Sequence, residues 1–256
     1  MRLLLLPFLL LSLLLPRLAL GQLSGVETYD TSEKMILGAV DRARYYMSYS
    51  YFDRGMGKEE FLAQADRSRG VVVYAHGCGR EANWDREARK LYLELGYYFV
   101  DADFISRGDT AASCSLRGKE FVYRTNVHER LKARDLEISA HVNFLRKSGF
   151  EKIVAAGFSE GGMVMQLLSA EVSAVVVHSM MCVPLQQAPN PKNKTLRVVS
   201  RKDPILMPRW GILMLCEDHP WYSHYENVVS EVASHSPAAD PKWQEAIGEF
   251  LRRNGL

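Results

Sequence analysis

The stretch Gly157-Phe158-Ser159-Glu160-Gly161-Gly162 decides the fold of this chain. The short, mostly apolar segment 152–156 before it predicts a buried strand, and the apolar segment 163–168 after it predicts a helix. A strand that turns directly into a helix at a serine needs neighbours without bulky side chains, because the turn strains the backbone of the serine. The serine hydroxyl should then project over a helix N-terminus, whose amides favour negative charge.

The rest of the chain predicts strands that alternate with helices. Strands are expected at 71–75, 97–101, 174–178, 196–200 and 227–232, and helices at 82–95, 125–147 and 241–253. This alternation predicts a mostly parallel sheet with helices on both faces. Ahead of it we expect a helix at 31–44 and an antiparallel hairpin of strands 45–52 and 61–65 at the edge of the sheet. Because no repeat or linker interrupts the pattern, residues 22–256 are predicted to form one α/β domain.

Residues 1–21 have the composition of a secretory signal peptide. A basic start, Met1-Arg2, precedes a leucine-rich run over 3–15, and Ala19-Leu20-Gly21 offers the small residues that a signal peptidase reads. A retained membrane anchor is the alternative, but the run is short and two prolines disrupt it. We therefore expect cleavage, no stable membrane span afterwards, and a secreted or periplasmic protein.

The composition indicates which kinds of binding partner to expect. The chain has 256 residues, of which 47% are apolar, and a formal net charge of +2, which is typical of a globular protein. It lacks a run of basic residues and a basic-aromatic stripe, so nucleic acid is not an expected partner.

A serine nucleophile requires a histidine base, a carboxylate that orients the base, and donors for the oxyanion. When the serine lies on a strand-turn-helix unit, the acid and then the histidine follow it in the chain. Asp203, just beyond strand 196–200, is the predicted acid, and His235, after strand 227–232, is the predicted base. Glu217 and Asp218 are alternative acids, although neither directly follows the end of a predicted strand.

The oxyanion donors are predicted from the same topology. One is the amide of Glu160, directly after the serine, and the other comes from the loop that follows strand 71–75. In that loop, His76-Gly77-Cys78-Gly79, we assign the amide of Cys78, with that of Gly77 as the alternative. His76 precedes the serine, so we expect it to be a structural hydrogen-bonding residue rather than the base.

Three further features have competing interpretations. The segment 216–224 contains His219 and His224, but the proline between them and the spacing predict no metal site, and His224 stays a candidate substrate contact. Arg107 is a candidate contact for a substrate carboxylate, although an ion pair within its own loop explains it as well. Its Arg-Gly-Asp tripeptide is too short to indicate adhesion. Asn193-Lys194-Thr195 is a glycosylation sequon.

Taken together, several of these motifs resemble the dienelactone hydrolase family. The matching residues are His76-Gly77-Cys78-Gly79, Trp84, Gly96-Tyr97, 103–108, Cys114, 157–162, Asp203 and His235. The resemblance covers roughly residues 71–253 and implies an α/β-hydrolase fold, cleavage of ester or lactone bonds by a triad, and no metal or cofactor. The enzyme that names the family uses cysteine where this chain has Ser159, so the resemblance favours a serine esterase over an enzyme for dienelactone.

The resemblance also implies a disulfide pattern for the four cysteines. On the implied sheet, Cys78 and Cys114 follow neighbouring strands, and Cys182 and Cys216 follow two others. We therefore predict the pairs Cys78–Cys114 and Cys182–Cys216; four buried free thiols are the alternative.

These expectations combine into one functional hypothesis with named alternatives. The chain is expected to be a secreted serine hydrolase that cleaves small-molecule carboxylic esters or related acyl bonds through an acyl-enzyme. A serine peptidase or an acyltransferase would use the same triad. A catalytically silent binding protein with this fold is the alternative from another class.

Overall fold

The computed structural model describes residues 33–49, 54–78, 83–102, 114–117, 120–123, 127–180, 189–205, 222–236 and 240–256. The predicted signal peptide, residues 1–21, lies outside this part of the chain. Among the helices of the described ranges, none combines the length and the apolar character needed to cross a membrane.

The described elements alternate between strands and helices from residue 71 onward. The strands are β1 (Arg44–Tyr46), β2 (Val71–Ala75), β3 (Tyr98–Asp101), β4 (Cys114–Arg117), β5 (Glu120–Tyr123), β6 (Ile153–Phe158), β7 (Ala174–His178), β8 (Thr195–Ser200) and β9 (Glu226–Ser230). The helices are α1 (Glu33–Arg42), α2 (Lys58–Gln64), α3 (Asn83–Glu94), α4 (Val127–Lys147), α5 (Glu160–Leu167) and α6 (Pro241–Arg253). The predicted α/β class is confirmed, and β2, β7 and α6 have the predicted bounds.

The seven strands of the main sheet lie in the order β1-β3-β2-β6-β7-β8-β9. β1 pairs antiparallel with β3 at one edge, and all the other neighbours are parallel. The carboxyl ends of the parallel strands therefore share one edge of the sheet, which is where ligands bind in such folds. The loops that follow β2, β6, β8 and β9 carry the residues predicted for the triad and the oxyanion donors.

One predicted strand is wrong. Residues 61–65 lie in and just after helix α2, and the antiparallel partner of β1 in this region is a single bridge between Tyr45 and Met56. Phe61, Leu62 and Ala65 all pack against the core, and their i, i+1, i+4 spacing places them on one face of a helix, whereas Phe61, Ala63 and Ala65 gave the alternation expected of a strand. Acidic residues in the first turn of α2 favour the helix, because they interact with its positive N-terminal end.

A small hairpin was not predicted. β4 and β5 pair antiparallel, with Arg117 opposite Glu120, so only two residues connect the strands. Four-residue strands are too short to give a clear alternating pattern, and the glycine at 118 was the only turn signal.

Two apolar layers cover the sheet. Val71, Val73 and Ala75 belong to the core beneath α2, α4 and α5, whereas Val72 and Tyr74 belong to the core beneath α3 and α6. Successive residues of a strand point to opposite faces, so β2 is buried throughout. An apolar run without polar alternation is typical of a parallel strand covered on both sides.

The sequon residue Asn193 is buried and hydrogen-bonded through both atoms of its amide. Its Oδ1 accepts the amide of Val172 at 3.0 Å, and its Nδ2 donates to the carbonyl of Ala170 at 3.1 Å. Only 4% of the residue is exposed. A glycan on Nδ2 would have to leave this buried, hydrogen-bonded position, so we expect Asn193 to carry none.

His76, His141 and His178 are buried and neutral in the folded chain near pH 7. Burial lowers the pKa of His76 to about 3, that of His141 to about 4 and that of His178 to about 3. Nδ1 of His141 bonds to the carbonyl of Glu137, one turn earlier in α4. The hydroxyl of Tyr92 bonds to Nε2 of His178 at 2.8 Å.

These histidines make the folded state sensitive to acid. The unfolded chain takes up protons on them below about pH 6.5, whereas the folded chain does not until pH 3–4. The stability associated with these neutral histidines is therefore fully present above about pH 6.5. The free energy of unfolding falls as the pH is lowered below that value. Each histidine should cost about 2 kcal/mol of stability by roughly pH 5.

We expect His141→Gln to reduce this acid sensitivity, because glutamine does not titrate and still reaches the carbonyl of Glu137. Urea denaturation at about pH 7.5 and about pH 5 should show a loss about 2 kcal/mol smaller than in the wild type. The control is His224→Ala, which leaves the three buried histidines in place and should lose as much as the wild type. An equal loss in His141→Gln would contradict the prediction.

Candidate active site

Ser159 lies on a sharp turn between β6 and α5. Its backbone has φ 53° and ψ −116°, a conformation that residues other than glycine rarely adopt. Its amide donates to the carbonyl of His178 at 3.0 Å, and its carbonyl accepts the amide of Met163 at 3.2 Å. The side chain does not cap the helix, so the hydroxyl is not committed to the helix N-terminus.

Two glycines are required by close backbone contacts at this turn. A Cβ on Gly161 would lie 1.9 Å from the carbonyl oxygen of Ala75, at the end of β2. A Cβ on Gly157 would lie 2.3 Å from the carbonyl oxygen of Gly161. The first turn of α5 therefore rests directly on the end of the neighbouring strand, which the glycines of the motif permit.

Asp203 and His235 form a buried hydrogen-bonded pair. Nδ1 of His235 lies 2.6 Å from Oδ2 of Asp203, and Oδ1 of Asp203 accepts the amide of Ile205 at 2.8 Å. Asp203 is fully buried and His235 is 4% exposed. The carboxylate holds the proton on Nδ1, so Nε2 is the nitrogen that can accept another.

Two serines form hydrogen bonds at the start of the loops that carry this pair. Ser200 and Ser230 are the last residues of β8 and β9 and lie opposite each other. The hydroxyl of Ser200 donates to the carbonyl of Val232, and the hydroxyl of Ser230 accepts the amide of Val232 at 3.0 Å. The bond from Ser200 connects the start of the acid loop, 201–205, to the base loop, 231–236, and the bond to Ser230 orders the start of the base loop.

The loop after β2, residues 76–78, lies against the serine turn. A Cβ on Gly77 would lie 3.3 Å from the ring of Phe158, the residue before Ser159. The same ring packs against the imidazole of His235, with 4.8 Å between the ring centroids. Phe158 therefore contacts the loop after β2, lies beside the serine turn and packs on His235.

His76 orients the second peptide of this loop. Its Nδ1 lies 2.5 Å from the carbonyl oxygen of Gly77, and as a neutral imidazole it donates its proton there. In a trans peptide the carbonyl and the N–H point in opposite directions, so the amide of Cys78 points away from the His76 ring. His76 is thus a structural hydrogen-bonding residue, as the sequence predicted.

A buried ion-pair cluster lies beneath the serine turn. Oε1 of Glu160 accepts Nε of Arg130 at 2.7 Å and Nη1 of Arg134 at 2.5 Å. All three side chains are at most 4% exposed. Nη2 of Arg134 also donates to the carbonyl of His76. The residue after the predicted nucleophile is therefore anchored to helix α4 by its side chain.

The remaining predicted residues are placed only in part. His224 is exposed and packs edge-on against Tyr225, before β9. Cys78 is disulfide-bonded, but the side chain of Cys114 falls outside the described part of the chain. Arg107, Cys182, Cys216 and the alternative acids Glu217 and Asp218 also fall outside it. Within the described ranges, no group of three or more His, Cys, Asp or Glu residues is placed to hold a metal.

Sequence reasoning missed the supporting residues. Arg130 and Arg134 lie in α4, where arginines are ordinarily read as solvent-exposed. Their spacing of one helical turn was a signal, because it places both on one face towards a single acidic partner. Ser200 and Ser230 were predicted only as parts of strands; a serine at the end of two adjacent strands was the available signal.

The chain has the α/β-hydrolase fold. Solved structures that superpose on it include a dienelactone hydrolase-like promiscuous phosphotriesterase from metagenomic libraries, with a TM-score of 0.53, 16% identity, and coverage of 74% of this chain and 88% of that chain. The structural likeness to dienelactone hydrolase-like proteins thus agrees with the resemblance noted in the sequence.

Two further structures share the fold at similar distance. An esterase from Pyrococcus furiosus superposes with a TM-score of 0.50 and 18% identity over 73% of this chain and 82% of that chain. A protein of unknown function from Agrobacterium tumefaciens superposes with a TM-score of 0.51 and 18% identity over 74% of this chain and 93% of that chain. No protein-family model matches the sequence, and no curated protein matches it.

We expect Gly161→Ala to disrupt the serine turn, because its methyl group would overlap the carbonyl oxygen of Ala75. Urea denaturation should show a loss of about 3 kcal/mol or more. Gly57→Ala is the control, since the nearest atom to a Cβ there lies 4.0 Å away and the cost should be below about 1 kcal/mol. Equal stability of the two variants would argue against the close contact.

Proposed function

We propose that this protein is a serine hydrolase that cleaves carboxylic esters or related acyl bonds of small molecules. The observation that carries the proposal is the 2.6 Å hydrogen bond between buried Asp203 and His235. The imidazole of this pair packs on Phe158, next to the strained Ser159. Strained backbone and buried acid-base pairs cluster at active sites.

In the proposed reaction, Ser159 attacks the acyl carbon of the substrate. Nε2 of His235 takes the hydroxyl proton and delivers it to the leaving group, while Asp203 holds the imidazole in the required tautomer. The product of this half-reaction is an ester between the acyl group and Ser159. Water then attacks that ester with the same histidine as base, which releases the acid and restores the serine.

The developing oxyanion is assigned to the amides of Glu160 and Cys78. Glu160 opens helix α5, where backbone N–H groups favour negative charge. The bond from His76 to the carbonyl of Gly77 supports the second donor, because it fixes the peptide that carries the Cys78 amide. Oriented donors stabilise a transition state without a reorganisation cost.

The structural neighbours support a hydrolase more than a binding protein. One is described as an esterase and another as a dienelactone hydrolase-like phosphotriesterase. A silent α/β-hydrolase-fold binding protein would have no need of a strained serine beside a buried acid-histidine pair. A peptidase or an acyltransferase would use the same groups, so experiment decides the leaving group and the acceptor of the acyl group.

Labelling with a fluorophosphonate and turnover of p-nitrophenyl esters of several chain lengths test the proposal. We expect the wild type to be labelled and active, and Ser159→Ala to be unlabelled and inactive while its urea denaturation curve is unchanged. Retained ester turnover in Ser159→Ala would refute the nucleophile. A folded wild type that neither labels nor turns over any ester would favour the binding protein.

Asp203→Asn tests the acid independently. Asparagine leaves the loop in place but stabilises the wrong imidazole tautomer, so kcat should fall by about 10⁴-fold. The control is Asp66→Asn, which alters an exposed turn remote from the pair and should keep kcat. Near-normal kcat in Asp203→Asn, with a loss in Asp218→Asn, would move the acid to residue 218.

We also propose that residues 1–21 are removed and that the mature protein is secreted or periplasmic. The disulfide at Cys78 supports an oxidising compartment. We propose the disulfide pairs Cys78–Cys114 and Cys182–Cys216.

Peptide mapping without reduction tests the disulfide pairing. We expect one linked peptide with Cys78 and Cys114 and another with Cys182 and Cys216. Reduction of the first should lower kcat as well as stability, because that bond would tether the oxyanion loop. A peptide that links Cys78 to Cys182 would contradict the pairing.

A further inference from the structure

We propose that Arg134 is a positioning residue that holds the oxyanion loop in register with the nucleophile turn. The inference rests on the serine hydrolase function proposed above and adds a residue from a different part of the chain. Arg134 lies in α4, remote in sequence from both the loop after β2 and the serine turn. It contacts one group in each of them.

The guanidinium of Arg134 connects the two segments that supply the oxyanion donors. Its Nη1 donates to the carboxylate of Glu160 at 2.5 Å, and its Nη2 donates to the carbonyl oxygen of His76. Glu160 carries one proposed donor amide and Cys78, two residues after His76, carries the other. One planar group therefore sets the distance between the two halves of the oxyanion site.

The bond to His76 also fixes the direction of a peptide. Because the described residues contain no cis peptide bond, the N–H of Gly77 points away from the carbonyl that Arg134 holds. With this first peptide fixed, the His76 ring reaches the carbonyl of Gly77 and fixes the second peptide, which carries the Cys78 amide. The orientation of the loop thus depends on two successive carbonyl anchors, and Arg134 supplies the first.

The position of Arg134 argues for a role beyond simple charge balance. Burial lowers its pKa, and the carboxylates of Glu160 and Glu137 oppose that shift. Burying such an ion pair has a desolvation cost that its Coulombic attraction rarely exceeds. An apolar pair would serve stability as well, but it could not anchor a carbonyl.

Arg130 offers a matched comparison within the same cluster. It lies one turn earlier in α4, is equally buried and donates to the same oxygen of Glu160. The bond to the loop carbonyl, however, comes from Arg134. A lysine at either position keeps the charge, but it lacks the planar fork that can bind a carboxylate and a carbonyl together.

The test compares Arg134→Lys with Arg130→Lys in the full-length protein. Turnover of the best p-nitrophenyl ester is expressed per serine titrated with a fluorophosphonate, so unfolded molecules do not count. We expect Arg134→Lys to lower kcat by about 10- to 100-fold with little change in KM, since an oxyanion donor acts in the transition state. Arg130→Lys, which keeps the bond from Arg134 to the carbonyl of His76, should lower kcat by a clearly smaller factor than Arg134→Lys.

Binding of a trifluoromethyl ketone gives a readout that a merely structural role would not move. Its adduct with Ser159 places a negative oxygen in the oxyanion site, so its Ki should rise by the same factor as kcat/KM falls in Arg134→Lys. An unchanged Ki, or equal losses of kcat in the two lysine variants, would overturn the proposal. Arg134→Gln is measured if the lysine variant does not fold, with the same expectations.

The outcomes separate this inference from the function on which it rests. If wild-type turnover requires Ser159 but both arginine variants keep kcat, only the positioning role fails. If Ser159→Ala keeps turnover, the proposed function itself fails. If no variant of Arg134 folds while Arg130→Lys does, Arg134 is a structural residue and the positioning role is rejected.

Discussion

The close contact between the first turn of α5 and the end of β2 is the constraint on which the rest of the site depends. A Cβ on Gly161 would lie 1.9 Å from the carbonyl oxygen of Ala75, so the two backbones touch without a side chain between them. This contact places Ser159, Glu160 and the loop that begins at His76 next to one another. Because packed backbones have little room to adjust, the relative positions of these segments are set by the fold.

Polar contacts then fix the peptide orientations and the loop positions that the backbone contact alone does not determine. Arg134 anchors the carbonyl of His76, the His76 ring anchors that of Gly77, and Ser200 connects the acid and base loops. Each of these side chains is buried, so its bond competes little with water. A site held in this way pays its ordering cost during folding rather than during the reaction.

The sequence predicted the frame and the pairing of Asp203 with His235, because both depend on local patterns. β2 and β7 are short apolar runs, α6 begins at a proline, and Asp203 and His235 follow strand ends. The prediction of a strand at 61–65 was wrong because the apolar residues of this segment also fit one face of a helix. Its secondary structure is decided by packing against the core. Local pattern cannot resolve such short segments.

The supporting contacts were beyond sequence reasoning for a different reason. That Arg134 contacts Glu160 and His76 depends on how α4 lies across β2 and α5, which is a property of the tertiary fold. A solvent-exposed arginine in a helix could have the same sequence pattern around it as the buried Arg134. The residues proposed to carry chemistry are thus recognisable from their neighbours in the chain, whereas those proposed to orient them are recognisable only from their neighbours in space. Buried charge in a helix that covers an active-site sheet is consequently the feature most informative about positioning, because its desolvation cost requires a compensating contact.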